Sequence, residues 1–163
     1  MLRISKLTDY AVVLATELAS GTAPRSVTRL SAITGIPAPT TSKVLKSMTR
    51  AGLVDSVRGK TGGYRLSRPA DRISVAELIR AIEGSIAVTE CADENDGYVC
   101  SLQGDCGVRA NWQRINRAVE EALESVRLSD MAVPNSPLVP LLRSQDEAEE
   151  KRHAEALEVE NHG

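Results

Sequence analysis

The chain has 163 residues and 17.5 kDa, with 20 Lys/Arg, 22 Asp/Glu, a formal charge of −2, 42% apolar residues and no Phe. That length suits one domain with a modest core, and the apolar content excludes a disordered chain. No run of 18 apolar residues is present, which excludes a transmembrane helix of ordinary length. The amino end lacks an unbroken apolar region with a small-residue cleavage site, so the expected location is the cytoplasm. A core without Phe must be aliphatic, which favours packed helices.

In chain order, Ser5 is a cap for a first helix reaching about Ala19. Ile4, Leu7, Tyr10, Leu14 and Leu18 form one apolar stripe along it. Ser26 caps a short helix from Val27 to Thr34, with Leu30 and Ile33 expected in its buried positions. Gly35-Ile36-Pro37 turns the chain, and a third helix runs from about Pro39 to Ala51 with Val44, Leu45 and Met48 facing inward. Gly52 stops it. Leu53–Val57 and Tyr64–Leu66 read as strands joined by the glycine-rich basic turn Arg58–Gly63, and Pro69 closes this hairpin. Ser74-Val-Ala-Glu77 is a capping-box signature for a fourth helix that Gly84 stops.

Residues 85–107 lack helical periodicity and contain all three Cys. Helical spacing returns from Val108 to Leu128, where Val108, Trp112, Ile115, Val119, Ala122 and Val126 make a narrow a/d seam. Such a seam packs either on the chain's own first domain or on a second copy. The polar remainder of the helix (Arg114, Arg117, Glu120, Glu121 and Glu124) favours the second copy. After Pro134 the tail is acidic and free of aromatics, which predicts disorder or a frayed helix. The expected organisation is a DNA-binding domain over 1–84, a cysteine loop over 85–107, a dimerisation helix over 108–132 and an acidic tail over 133–163.

The near-neutral total charge conceals an asymmetry. Residues 1–80 hold 13 Lys/Arg against 5 Asp/Glu, a charge of +8, and the remainder carries −10. A basic half points to a polyanionic partner, although a basic stretch alone is commonly only a solvated helix face. Helix, short helix, tight turn and a helix entered by polar residues is helix-turn-helix grammar, and the hairpin adds a wing. The expected fold is therefore mainly α, a winged helix-turn-helix with a two-stranded wing plus a long dimerisation helix. Thr40, Thr41, Ser42 and Lys43 follow Pro39 at the start of the recognition helix, with Lys46 and Arg50 further along. Hydroxyls and amines there reach base edges or phosphates. Ser26 and Thr28 open the preceding helix. Arg58, Lys60 and Arg65 charge the wing, and its glycines allow close approach to a minor groove.

Cys91, Cys100 and Cys106 are spaced C-x8-C-x5-C. Three is an odd number for a disulfide framework, and the absence of a C-x2-C pair lowers the case for a zinc ribbon. Three thiols in an Asp-, Glu- and Gly-rich loop suit a thiolate-bound cofactor, and an iron–sulfur cluster needs a fourth ligand from elsewhere. A thiol redox switch or a zinc site in the same loop is the competing reading.

These motifs together resemble the Rrf-two (BadM-like) family of bacterial winged-helix regulators, in particular the branch regulating SUF iron–sulfur assembly. The resemblance rests on LRISKLTDYAVV, the wing VRGKTGGYRLSRP, ISVAELIRAIEG before the Cys loop, NWQRINRAVEEAL, and VRLSDMA; it covers residues 1–132. It implies a homodimeric, DNA-binding repressor of iron–sulfur assembly genes that senses cluster status. The cluster thiols would be Cys91, Cys100 and Cys106, and the wing arginine Arg58. The His that completes the ligand set in members like the housekeeping iron–sulfur regulator is replaced by Arg109, which cannot ligate. In nitric-oxide-sensing relatives an Asp of the first helix, from the partner subunit, takes that role, and Asp9 matches it. A nitric-oxide- or iron-responsive regulator is thus an alternative signal for the same fold. A protein-interaction adaptor in iron–sulfur assembly is the reading from a different class. An enzyme is not expected: there is no phosphate loop or Ser–His–Asp candidate set, and both His lie in the tail.

Overall fold

The computed structural model describes residues 4–59, 61–89 and 106–132. Lys60, Cys91, Cys100 and the tail from 133 to 163 lie outside them, and so do the expectations attached to those residues.

Helix α1 (Lys6–Ala19) starts where the Ser5 hydroxyl accepts from the Thr8 N–H at 3.3 Å, a cap that satisfies one orphan donor of the first turn. It packs against four of the helices that follow it. Its buried face is Thr8, Ala11, Leu14, Ala15 and Leu18. The stripe read from large apolar residues is thus rotated. Leu7 and Tyr10 lie half-buried on its flank and Ile4 is exposed, because two alanines let neighbouring helices approach closely between them.

Helices α2 (Val27–Thr34) and α3 (Ala38–Arg50) form the helix-turn-helix. Gly35 has φ 72°, a left-handed cap that glycine adopts without a Cβ penalty. The turn is then locked by convergence on one carbonyl. The hydroxyls of Ser31 and Thr41 donate to the Ile36 oxygen at 2.7 and 3.1 Å, while the Ile36 side chain is buried. Ile36 occupies the core position expected for Ile33, which is 44% exposed. An eight-residue helix presents only Leu30 fully to the core before the chain turns.

Strands β1 (Val54–Val57) and β2 (Gly63–Leu66) pair antiparallel, Val54 opposite Leu66 and Ser56 opposite Tyr64. A third rung comes from the α1–α2 loop. Arg25 N–H donates to the Tyr64 oxygen at 2.9 Å, and Tyr64 N–H donates to the Arg25 oxygen at 2.8 Å. Gly63 is obligatory at this crossing, since a Cβ there would sit 2.5 Å from the Arg25 backbone.

Helix α4 (Val75–Glu83) opens on a complete capping box: Glu77 N–H donates to the Ser74 hydroxyl, and the Glu77 carboxylate accepts from Ser74 N–H. Partial burial pushes the Glu77 carboxyl up, but the Ser74 N–H and the Arg68 guanidinium outweigh it and hold it below the ordinary carboxylate range.

Helix α5 (Arg109–Ser125) does not continue to Leu128 as its periodicity suggests. Val126 is extended, and residues 126–128 pair with 73–75 through Val75 N–H to Val126 O (2.9 Å) and Leu128 N–H to Ile73 O (2.8 Å). A short helix α6 (Leu128–Ala132) follows and packs on α1, placing Leu128 fully inside the core. Only residues 109–125 of the stretch 108–132 therefore form the long helix; the end of that stretch completes the winged domain.

Candidate nucleic-acid interface and cysteine region

Helix α3 divides its residues by face. Thr41, Val44, Leu45 and Met48 are buried, while Pro39, Lys43, Lys46 and Arg50 are exposed and Thr40 and Ser42 half-buried. Thr41 is consequently withdrawn from the nucleic-acid contacts expected of it. Its hydroxyl is fully buried and spent on the Ile36 carbonyl. Ser26 and Thr28 are exposed at the start of α2, and the Ser26 hydroxyl caps that helix by accepting from Arg29 N–H at 3.2 Å.

The exposed face of α3 and one face of the wing enclose a groove of about 620 Å³, lined by Pro39, Ser42, Lys43, Lys46, Thr49, Arg50, Ser56 and Tyr64. Among the described residues no acidic one lines it. Ser56 and Tyr64 enter because directly opposed residues of an antiparallel pair share a face. Neither they nor Thr49 were singled out in the sequence. The signal available was strand alternation counted back from the glycine turn.

The same alternation removes Arg65. It opposes Asp55, the two side chains approach to 3.7 Å, and both border a separate cleft beside the end of α1. Arg65 thus lies on the face of the wing turned away from the α3 groove.

Ion pairing sorts the remaining cations. Arg25 pairs with Glu17, Arg68 with Glu77, and Arg80 with Glu120 and Glu124. Among the described residues, Lys43, Lys46, Arg50 and exposed Arg58 make no ion pair. Positive charge left uncompensated on α3 and at the wing is what a phosphate backbone requires; the paired arginines serve the fold.

The cysteine region is described only at its end. Cys106 is a free, half-buried thiol whose carbonyl accepts from Arg109 N–H at 3.3 Å as α5 begins. Asp9 is exposed in the first turn of α1. Among the described residues no three His, Cys, Asp or Glu side chains come together as a metal site. The first part of the seam is uncovered: Val108, Trp112 and Ile115 are 53%, 36% and 44% exposed, while Val119 and Val126 are half-buried. No described helix is long and apolar enough to cross a membrane.

Comparison with known proteins places this geometry. A family model described as Rrf2, iron-dependent transcriptional regulator, matches residues 4–134. The chain belongs to the Rrf2 family. It is 33% identical over 131 residues to protein aau3 of Rhizobium meliloti, covering 80% of this chain and 84% of that one. It is also 29% identical over 142 residues to the HTH-type transcriptional repressor NsrR of Streptomyces coelicolor, covering 85% and 94%. Among solved structures it is similar to CymR, the global cysteine regulator of B. subtilis (TM-score 0.65, 31% identity, 81% and 97% covered). It is likewise similar to IscR of T. potens (TM-score 0.58, 30% identity, 80% and 85% covered). As an Rrf2 protein the chain is a winged-helix, DNA-binding transcriptional regulator rather than an enzyme.

Proposed function

We propose that this Rrf2 regulator acts in the cytoplasm as a homodimeric repressor that binds operator DNA through α3 and the wing and reports iron–sulfur status through its cysteines. The observation that carries the DNA-binding part is the groove in which Ser42, Lys43, Lys46 and Arg50 face Tyr64 of the wing, with no acidic residue among the described ones that line it. Pro39, Thr40 and Ser42 begin the helix where base edges are met. Lys43, Lys46, Arg50 and Arg58 neutralise phosphates, with Lys60 beside them in the wing sequence, and Ser26 and Thr28 sit at the opening of α2 where a flanking phosphate would lie. The uncovered first part of the seam supports pairing with a second copy, because a surface helix of a monomer rarely leaves Val, Trp and Ile side by side in water.

The donor set of the sensor is Cys91, Cys100 and Cys106, with Asp9 of the partner subunit as fourth ligand. Thiolates suit iron, three of them fall between residues 91 and 106, and the family is described as iron-dependent. A bound cluster, two-iron or four-iron, would supply a group lost under iron starvation or oxidation. Cys106 adjoins the first turn of α5 and Asp9 lies one turn inside α1, so these residues stand at the roots of the dimer helix and the DNA-binding core. Control of iron–sulfur assembly genes is the regulon this reading assigns. Similarity to a solved oxidized form of Staphylococcus aureus CymR (26% identity, TM-score 0.60) supports a second reading, in which the same thiols act as a redox switch or, in place of a cluster, hold zinc.

Anaerobic purification with iron and sulfide analysis decides between them. The proposal expects brown protein whose visible absorption is lost in Cys100→Ala. Colourless, iron-free protein after anaerobic reconstitution overturns the cluster, and stoichiometric zinc supports the second reading.

A further inference from the structure

Helix α5 buries a single residue, and that residue is polar. Asn116 is 7% exposed on a helix whose other side chains are exposed or half-buried. Both ends of its amide are hydrogen-bonded. The Oδ1 accepts from Val88 N–H at 2.9 Å, and the Nδ2 donates to the Ile86 oxygen at 3.0 Å. One carboxamide thus meets an acceptor and a donor two residues apart in a segment that is neither helix nor strand. Sequence reading assigned Asn116 nothing; it lies outside the a/d seam and looks like one more polar position.

The clamped segment has a particular place in the chain. Upstream, Glu83 ends α4 and is hydrogen-bonded by the Thr8 hydroxyl and by Ser5 N–H at 3.2 Å, which ties it to the start of α1. Downstream, Cys91 follows Val88 by three residues in sequence, and Cys106 precedes the first residue of α5 by three. The bond from Asn116 to Val88 therefore closes a 28-residue span containing all three cysteines onto the very helix in which that span ends. Ile86, Ala87 and Val88 are only half-buried, and the groove beside Ile79, Val119 and Leu123 is open, so apolar packing holds the segment weakly.

We infer that Asn116 is a positioning residue that couples the entry of the cysteine loop to α5, so that a change in the loop is transmitted to the helix carrying the seam and, through Glu83, to the start of α1. The inference rests on reading residues 85–107 as the sensor. A buried carboxamide that held only a loop in place would stabilise the protein without affecting how ligand state and DNA binding communicate; a coupling residue changes that communication.

The test uses the full chain with Asn116→Leu, which keeps the branched outline of the side chain and removes both hydrogen bonds. Asn116→Ala is the second variant should the leucine disturb folding. Two quantities are read: hydrogen exchange at the amides of Ile86–Thr89, and the ratio of operator affinities of anaerobic iron-loaded and iron-free protein. Both variants are expected to raise exchange at Val88 by about tenfold or more. Iron-free operator affinity should stay within about twofold of the parent, and the loaded-to-free ratio should fall to near one. Parental exchange overturns the clamp, and raised exchange with a parental ratio overturns its coupling role. A parent chain with no iron-dependent ratio is a failure of the sensing reading instead; the exchange measurement then decides alone whether Asn116 holds the segment.

Discussion

Lys43 and Arg65 show how little a positive charge means before its neighbours are known. Both are exposed cations of the basic half, yet Lys43 stands unpaired at the groove, while Arg65 faces Asp55 on the other side of the hairpin. Lys43→Ala and Arg58→Ala are expected to weaken operator binding by about 1 kcal/mol each and to lower the slope of log K against log salt by about one; fluorescence anisotropy across salt concentrations reads both. Arg65→Ala should leave that slope unchanged, and a lowered slope would return Arg65 to the interface. Glu83 carries a different kind of prediction. The Ser5 and Thr8 side chains stabilise its charged form and, against partial burial, hold its carboxyl below the ordinary range. A carboxyl lowered in the folded state binds its proton more readily once unfolded. Its stabilisation is thus complete above the ordinary carboxylate range and is lost as pH falls through the folded value. Glu83→Gln should accordingly flatten the fall of Tm in acid, below about pH 4.5, and have its largest effect near neutrality. An unchanged acid limb would show that Glu83 does not contribute to it.

At the scale of elements, local chemistry was legible and tertiary pairing was not. The Ser5 and Ser26 caps, the Gly35 turn and the Ser74–Glu77 box are short-range signals, and each stands where the sequence places it. The break between α5 and α6 has no such marker. Val126 continues the seam spacing, and only its pairing with residues 73–75, some 50 positions earlier, makes it extended. Thr41 and Ile33 follow the same rule. Helical position says which face they share, but the Ile36 side chain and carbonyl decide that Thr41 is buried and Ile33 is not. Asn116 was invisible because its partners, Ile86 and Val88, are backbone groups in a segment without periodicity. Leu128→Ala tests the reassigned end of the chain. A fully buried leucine in the winged core should cost about 2–5 kcal/mol by denaturant unfolding. A cost below about 0.5 kcal/mol is the mark of a surface position and would return Leu128 to the exposed helix.

For the whole molecule, the division of charge is also a division of labour, with a correction. Within the basic half, Arg25, Arg68 and Arg80 are paired inside the fold, while Lys43, Lys46 and Arg50 line the groove. The long helix lies in the acidic half, and its Glu120 and Glu124 pair with Arg80 of the basic half and so join the two parts electrostatically. Such exposed pairs contribute modestly, and the 126–128 rung and Leu128 make the firmer connection. The seam on the outer surface of α5 makes a second copy part of the account, and two copies impose two-fold symmetry on the DNA they bind. The most direct measurement is selection of the full chain's binding site from a random DNA pool, followed by footprinting. The account predicts a palindrome whose half-sites are centred about 34–36 Å apart or a multiple of that, bound with steep salt dependence. Failure to enrich any sequence, or enrichment of a single unpaired half-site bound independently of salt, would contradict it.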